Sequence, residues 1–203
     1  MTIHGQRDVD DSTPLTPEDL EGLVLGWVAT WDELNQAETN NIENAVEWAY
    51  YGRRSPVSNV SDLLTVTFSD RLHRRMFGDV WAWAGTRRQR QTNIGVEPAQ
   101  IVTQMKLALD DARYWHAQAT FDPIEIAVRL HHRLVCVHPY PNGNGRQTRM
   151  MADMYLHTTN HPRLLWGGGE PLSSKSINRT AYIDALRAAT NHDLGPLLAF
   201  AVA

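Results

Sequence analysis

Residues 137–149 read Val-His-Pro-Tyr-Pro-Asn-Gly-Asn-Gly-Arg-Gln-Thr-Arg. An apolar helical pattern ends just before this stretch, and a second one begins just after it with Met150, Met151, Met154 and Tyr155. Periodic apolar residues on both sides of a polar stretch that is rich in glycine and proline indicate a loop between two buried helices. We expect the chemistry of the chain to take place at this loop.

The composition of the loop predicts a phosphate-binding site. Glycines on both sides of Asn144 allow positive φ and a close approach to a ligand, and successive N–H groups in such a turn bind anions. A helix that begins near Gly145 would direct its unpaired N–H groups to the same point. Arg146 and Arg149 are three residues apart, so both guanidinium groups lie on one helix face and can bind phosphate oxygens. His138 is close enough to such a phosphate to accept a proton from an incoming hydroxyl.

The loop resembles the signature of the Fic family, His-x-Phe-x-Asp/Glu-Gly-Asn-Gly-Arg-x-x-Arg, over residues 138–149. Tyr140 replaces the phenylalanine of the signature and Asn142 replaces the acid. Residues 68–87 and 179–186 are also similar to this family, and most of the chain resembles its subgroup called mobile mystery protein B. The resemblance implies an all-α fold, a Fic-type helical bundle with a short β-hairpin flap at residues 87–95.

The resemblance also implies an activity, that of a protein adenylyltransferase (AMPylator). Such an enzyme transfers AMP from ATP to a Tyr, Ser or Thr hydroxyl of a target protein and releases pyrophosphate. His138 is then the general base, Arg146 neutralises the leaving pyrophosphate and Arg149 meets the γ-phosphate. The α- and β-phosphates are held by Asn144 and by the amides of Gly143 and Gly145. Ile94 of the flap and Tyr182 or Asn178 are expected beside the nucleotide.

Asn142 stands where the family has a carboxylate that ligates Mg²⁺ between the phosphates. An amide oxygen can also ligate a hard cation, but it brings no charge. We therefore expect Asn142 to be the metal ligand for Mg²⁺ and part of the nucleotide site, with an altered metal affinity.

An inhibitory motif of the family, Ser/Thr-x-x-x-Glu-Gly/Asn, resembles Thr39-Asn-Asn-Ile-Glu43-Asn44 on a predicted amphipathic helix over residues 37–50. Thr39 and Glu43 are four residues apart and share a helix face. The resemblance implies that Glu43 faces Arg149 and occupies the space of the γ-phosphate. This reading predicts an enzyme that is inhibited by a segment of its own chain.

The chain divides into three predicted parts: a disordered N-terminus at residues 1–15, N-terminal helices with the inhibitory helix at 16–55, and a Fic catalytic core at 56–203. The first helix is expected to start at Thr16 and to continue to Leu34, where apolar residues recur at helical spacing. Further helices are expected between residues 61 and 77, with Thr67 and Asp70 as a capping box, and at 98–119, 123–137 and 177–189.

Composition limits the compartment and the partners. A net charge of -4 and a pI near 6.1 argue against nucleic acid as a general partner. The single cysteine, Cys136, lies in an apolar run, so we expect a buried thiol and a reducing compartment. No apolar stretch approaches the ~20 residues of a membrane span, and the polar N-terminus lacks a secretory signal, so we expect a cytoplasmic protein. The oligomeric state stays open, a homodimer included.

The flap is the expected docking place of a target protein, which would add a strand beside the nucleotide. The basic cluster at residues 87–90 has two readings, a solvated edge or a patch that recruits an acidic target. The activity itself also has alternatives. These are removal of AMP with Glu43 orienting a water, a kinase activity like that of the Doc branch with ATP bound the other way round, and a non-catalytic nucleotide-binding regulatory module.

Overall fold

The computed structural model describes residues 20–52, 56–168 and 177–203. Its helices are α1 (Trp31–Tyr50), α2 (Val60–Leu63), α3 (Val66–Phe77), α4 (Ile101–Ala117), α5 (Pro123–Val137), α6 (Asn144–Thr158), α7 (Ile177–Thr190) and α8 (Gly195–Val202). The 3-10 turn Pro98–Gln100 leads into α4. These ranges contain no sheet, since Leu23 and Trp81 form only an isolated antiparallel bridge. The prediction of an all-α fold is confirmed, whereas the predicted disorder at 1–15 and helix start at Thr16 lie outside the described residues.

Helices α5 and α6 form the centre of the fold and pack against each other on either side of the polar loop. Helix α5 begins as its sequence predicts, because Asp122 accepts a hydrogen bond from the N–H of Ile124 and Pro123 occupies the first turn. The apolar stripe Ile126, Leu130 and Leu134 is buried. Each such side chain contributes about 1.5–3 kcal/mol when it leaves water. The loop therefore connects two helices that pack against each other in the core.

The predicted first helix is wrong for residues 20–30, which form turns and extended segments. Gly22 has φ 84°, which is outside the helical region. The N–H of Val24 donates to the carbonyl of Val80 at 2.9 Å, and the N–H of Ala82 donates to the carbonyl of Gly22 at 2.8 Å. Because the backbone of this segment bonds to a distant part of the chain, its groups are not available for a helix. Helix α1 begins only at Trp31.

The predicted helix between residues 61 and 77 is interrupted, and its cap lies two residues earlier than expected. Thr65 caps α3 by accepting a hydrogen bond from the N–H of Phe68 at 3.0 Å. Asp70, which was expected in a capping box, instead pairs with Arg87 at 2.9 Å and accepts a hydrogen bond from the Tyr140 hydroxyl at 3.0 Å. Asp70 therefore binds residues distant in sequence instead of capping the helix, as its local spacing had predicted.

The flap at residues 87–95 has no strand, so the predicted β-hairpin is wrong in the structure. The N–H of Arg88 donates to the carbonyl of Pro139 at 2.9 Å, and the N–H of Val96 donates to that of Val137 at 3.2 Å. These bonds tie the segment to the end of α5 rather than to a facing strand. The basic cluster is solvated only in part, because Arg87 pairs with Asp70 and Arg88 is only 4% exposed, whereas the Arg90 side chain is 86% exposed.

Cys136 is exposed, contrary to the expectation of a buried thiol. It lies on the last turn of α5, where its sulfur contacts His132 Nε2 at 3.5 Å and the Thr190 hydroxyl at 3.8 Å. Its position on the helix directs it away from the buried stripe. Within the described ranges, no helix combines the length and the apolar character that crossing a bilayer requires.

The capping box of α1 allows a stability prediction. Thr30 accepts a hydrogen bond from the N–H of Glu33, whose carboxylate accepts one from the N–H of Thr30. Thr30→Ala should lower the free energy of unfolding by about 1 kcal/mol, measured by urea denaturation, because one helix-end donor loses its partner. The control is Thr39→Ala, in the exposed middle of α1. If Thr30→Ala lowered the free energy of unfolding no more than Thr39→Ala does, the result would contradict a stabilising cap at Thr30.

Candidate active site

Both ends of the polar loop adopt left-handed backbone conformations. His138 ends α5 with φ 53° and ψ 60°, and Gly143 precedes α6 with φ 78°. A Cβ at Gly143 would lie 2.6 Å from the Phe77 ring, so only glycine fits there. The expectation of positive φ is confirmed at Gly143 and wrong at Gly145, which lies within α6. The first N–H groups of α6, whose N-cap is a glycine without a side chain, point out of the helix end and suit an anion.

Asn144 shapes the loop from within. Its Oδ1 accepts a hydrogen bond from the N–H of Tyr140 at 2.9 Å, and its Nδ2 donates to the carbonyl of Tyr140 at 2.8 Å. The side chain is 2% exposed and its oxygen and nitrogen are both engaged. These bonds occupy both polar atoms of the side chain, and the role of Asn144 in catalysis and phosphate binding stays a prediction. Asn144 closes the turn that presents the neighbouring amides.

His73 supports the loop from α3, a role that sequence reasoning missed. Its Nδ1 accepts a hydrogen bond from the N–H of Gly85 at 3.0 Å, so the proton resides on Nε2, which donates to the carbonyl of Asn142 at 3.0 Å. Burial lowers the pKa of His73 to about 4, which keeps the ring neutral. The ring also stacks on Tyr140 with 3.9 Å between centroids. The tyrosine that replaces the phenylalanine of the signature is thus held by its face and by its hydroxyl.

His138 has the properties of a proton acceptor. Its Nδ1 is buried without a hydrogen-bond partner in the described part of the chain. Burial, and next the nearby Arg88 charge, lower the pKa of His138 to about 4, and the Val135 carbonyl opposes this shift. The imidazole is therefore neutral near pH 7. Its role as the general base stays a prediction.

Arg146 is bound to a carboxylate that sequence reasoning did not single out. Its guanidinium donates to Glu38 Oε2 at 2.6 Å and lies 4.8 Å from the centroid of the Phe77 ring. Glu38 is buried on α1, and its other oxygen accepts a hydrogen bond from Trp81 Nε1 at 2.7 Å. Charge-assisted bonds of this kind are strong. Glu38 thus binds the guanidinium of Arg146, which the loop sequence predicts to bind phosphate.

The predicted inhibitory contact between Glu43 and Arg149 is wrong in this structure. Thr39, Glu43 and Asn44 are all exposed on α1. Glu43 lies five residues after Glu38, which turns it about 140° around the helix axis at 3.6 residues per turn. The face that α1 buries carries Ala37, Glu38, Asn41 and Ala45. The correct element was identified, but a different glutamate reaches the loop.

Arg149 lies beside a chain of buried hydrogen bonds. Its guanidinium is 5.2 Å from the centroid of the Tyr182 ring. The Tyr182 hydroxyl lies 3.0 Å from His131 Nε2, and His131 Nδ1 lies 3.0 Å from the Thr148 hydroxyl. Thr148 donates to the carbonyl of Asn144 at 2.8 Å, so Nδ1 of His131 carries the proton and Nε2 accepts from Tyr182. Burial lowers the pKa of His131 well below its ordinary value, which keeps this ring neutral.

Tyr182 is buried, with 7% of its surface exposed, and its hydroxyl lies 3.0 Å from His131 Nε2. Its contact with a nucleotide stays a prediction. Asn178, the alternative on α7, donates from Nδ2 to the carbonyl of Gly167 at 3.0 Å. Ile94 is 37% exposed in the flap, and its contact with a nucleotide stays a prediction.

Asn142 is exposed and offers an oxygen, which currently accepts a hydrogen bond from the N–H of Gly143 at 2.7 Å. The described residues include no cluster of three or more His, Cys, Asp or Glu side chains that would hold a metal on its own. Mg²⁺ commonly binds to phosphates and waters with only one or two protein ligands. The donor set at Asn142 fits that mode, with a neutral ligand in place of a charged one.

The two asparagines of the loop provide a matched pair for a test. Asn144→Asp removes the donor to the Tyr140 carbonyl and places a carboxylate against it, so the free energy of unfolding should fall by about 1–3 kcal/mol. Asn142→Asp makes the same change at an exposed position and should have an effect within about 0.5 kcal/mol. Urea denaturation of both variants measures the difference. Equal losses would show that Asn144 does not close the loop.

Comparisons with known proteins agree with this geometry. The family model described as Fic/DOC family matches residues 63–156. The protein adenylyltransferase fic-1 of Caenorhabditis elegans is 29% identical over 154 residues, which are 72% of this chain and 28% of that protein. The chain thus spans less than a third of the length of that relative.

Two solved structures show the same fold. Fic-1 (residues 134–508) of C. elegans superimposes with a TM-score of 0.63 at 24% identity, over 89% of this chain and 50% of that chain. The BepC protein of Bartonella tribocorum, solved with bound AMPPNP, superimposes with a TM-score of 0.63 at 17% identity, over 89% of this chain and 94% of that chain. The polar loop lies inside the family match. The chain therefore contains a Fic/DOC family domain, which the match places at residues 63–156.

Proposed function

We propose that this chain is a protein adenylyltransferase that transfers AMP from ATP to a hydroxyl of a target protein. The observation that carries the proposal is the position of two arginines, Arg146 and Arg149, on the first turns of α6. They follow the loop that begins with a neutral His138. The name of the C. elegans relative, protein adenylyltransferase, and the AMPPNP bound to BepC support it. AMPPNP is an ATP analogue, so ATP is the proposed substrate.

The proposed reaction is a displacement at the α-phosphorus. The target hydroxyl oxygen attacks this atom while His138 accepts the hydroxyl proton. The bond from the α-phosphorus to the oxygen that bridges to the β-phosphate breaks, and pyrophosphate leaves with the charge. The N–H groups at the start of α6 hold phosphate oxygens, and Arg146 and Arg149 stabilise the charge on the leaving group.

Mg²⁺ and the target protein belong to the same proposal. Asn142 would hold the metal, which when bound neutralises phosphate charge. The flap is proposed to receive the target, since Gln89–Gln91 and Asn93–Gly95 are exposed beside His138. We place the reaction in the cytoplasm, where ATP is abundant. Residues 56–203 remain the proposed catalytic core, and a homodimer remains open.

Glu38 is the proposed inhibitory residue in place of Glu43. It binds Arg146, so the carboxylate and a phosphate would compete for one guanidinium. Trp81 holds Glu38 from the other side, which keeps the carboxylate at this position. We expect ATP to bind weakly until α1 shifts or the ion pair between Glu38 and Arg146 breaks.

The first experiment tests transfer and its base. The protein is incubated with a mixture of candidate target proteins and ATP labelled at the α- or γ-phosphate, with Mg²⁺ or with a chelator, and modified proteins are identified by mass spectrometry. We expect AMP adducts and α-label on protein. His138→Asn should reduce transfer by about 10²–10⁴-fold without changing ATP affinity, because asparagine tolerates positive φ but is no base.

The labels separate the alternatives. A γ-label on protein would instead indicate a kinase, and ATP binding without any transfer would indicate a regulatory module. Loss of AMP from a modified target would indicate the reverse reaction. Full transfer by His138→Asn would exclude the imidazole as the base.

The second experiment tests inhibition with a pair of variants on one helix. Glu38→Gln keeps an acceptor for Trp81 but removes the charge that binds Arg146, whereas Glu43→Gln removes an exposed charge on another face. We expect Glu38→Gln to bind ATP about tenfold more tightly in calorimetry and to modify itself faster. Glu43→Gln should match the wild type. If Glu43→Gln instead bound ATP more tightly and modified itself faster than Glu38→Gln, Glu43 would be the inhibitory residue.

A further inference from the structure

Arg88 is a buried cation whose described partners are all backbone carbonyls. Its Nε donates to His138 at 2.7 Å and its Nη1 to Arg90 at 3.0 Å. Its Nη2 donates to Val96 and, at 3.5 Å, to Val137. The side chain therefore bridges two separate pieces of chain, the flap with the adjoining Val96 and the end of α5. The carbonyls that it binds at the end of α5 are about fifty residues away from Arg88 in sequence.

The position of this cation suits the end of a helix. The last carbonyls of α5 have no partner inside the helix, and the helix dipole places partial negative charge there. Arg88 satisfies Val137 and the cap residue His138 at once. His138 needs such a support, because a left-handed conformation is unfavourable for a residue other than glycine.

The surrounding packing leaves little freedom for this arrangement. A Cβ added at Gly95, which has φ 95°, would lie 2.6 Å from the Cβ of His138 and 2.7 Å from Nη2 of Arg88. The flap backbone thus touches the imidazole-bearing residue directly. Two backbone hydrogen bonds, from the N–H of Arg88 to Pro139 and from the N–H of Val96 to Val137, join the same two segments as the Arg88 side chain.

We propose that Arg88 is a positioning residue that locks the flap to His138 and holds that residue in its left-handed backbone conformation. Its charge faces the imidazole from the flap, and the Val135 carbonyl faces it from α5. A target that displaces the flap would then change both the position and the basicity of His138. The designation of His138 as the base rests on the proposed function, whereas the lock itself does not.

The first test is a titration of His138 by NMR in the whole protein, with His138→Asn used to assign its resonances. In the wild type we expect a pKa of about 4. Arg88→Met should move the pKa upward toward the ordinary 6.5, because a like charge is removed, and Arg88→Lys should keep it low. Arg90→Met, which removes an exposed charge in the same segment, should leave it unchanged.

Hydrogen exchange shows whether the loop remains folded in each variant. The amide of Tyr140 is held by Asn144 and not by Arg88, so its protection should persist in a folded variant. In Arg88→Lys, which cannot bridge four carbonyls, the amides of Val96 and His138 should both exchange about tenfold faster. Neither measurement needs catalytic activity, so a negative transfer assay would leave this test intact.

Two results would overturn the lock. One is an unchanged His138 pKa in a folded Arg88→Met protein. The other is faster exchange in Arg88→Lys at only one of the two amides, or at neither. If Arg88→Met fails to fold, the exchange measurement on Arg88→Lys decides alone, since lysine preserves the charge and removes only the bridge.

Discussion

The two hydrogen bonds between the Asn144 side chain and the Tyr140 backbone hold the polar loop in one shape. Because an unpaired buried amide costs about 1–3 kcal/mol, this pair selects the turn in which donor and acceptor both have partners. The rest of the site depends on that turn. It sets where α6 begins, and therefore where the first N–H groups and the two arginines of α6 point.

Around this turn the protein combines positive charge with neutral, buried imidazoles. Burial keeps His73, His131 and His138 uncharged, and each has a different use. His73 holds the loop carbonyl at Asn142, His131 connects Tyr182 to Thr148, and His138 has an unpartnered nitrogen. A neutral ring can act as a directional donor at one nitrogen and as an acceptor at the other.

Glu38 and Arg88 contact the site from elements outside the loop. The carboxylate comes from α1 and occupies Arg146, whereas the guanidinium comes from the flap and holds the residue at the end of α5. Both are buried charges that depend on their partners, since an isolated buried charge is costly. We therefore regard α1 and the flap as the two elements whose movement would change the chemistry of the loop.

Several predictions succeeded because they rested on local rules. Apolar periodicity identified α5 and α6, the Asp-Pro pair identified the start of α5, and the glycine at 143 has the expected positive φ. The failures came from contacts between distant segments. Residues 20–30 form backbone hydrogen bonds with residues 80–82 instead of a helix. Asp70 binds the Tyr140 hydroxyl instead of capping α3, and the backbone of the flap segment bonds to the end of α5 instead of forming a hairpin.

The sequence by itself determined the helical class, the loop between two buried helices and the residue types that suit phosphate, because periodicity and turn chemistry act over a few residues. Only the tertiary structure decided which glutamate reaches the loop and which arginine supports His138. Glu38 and Arg146 are 108 positions apart, and Arg88 and His138 are 50 apart. A local pattern identifies the helix that can carry such a residue. Which of its faces meets the loop depends on how the helices pack.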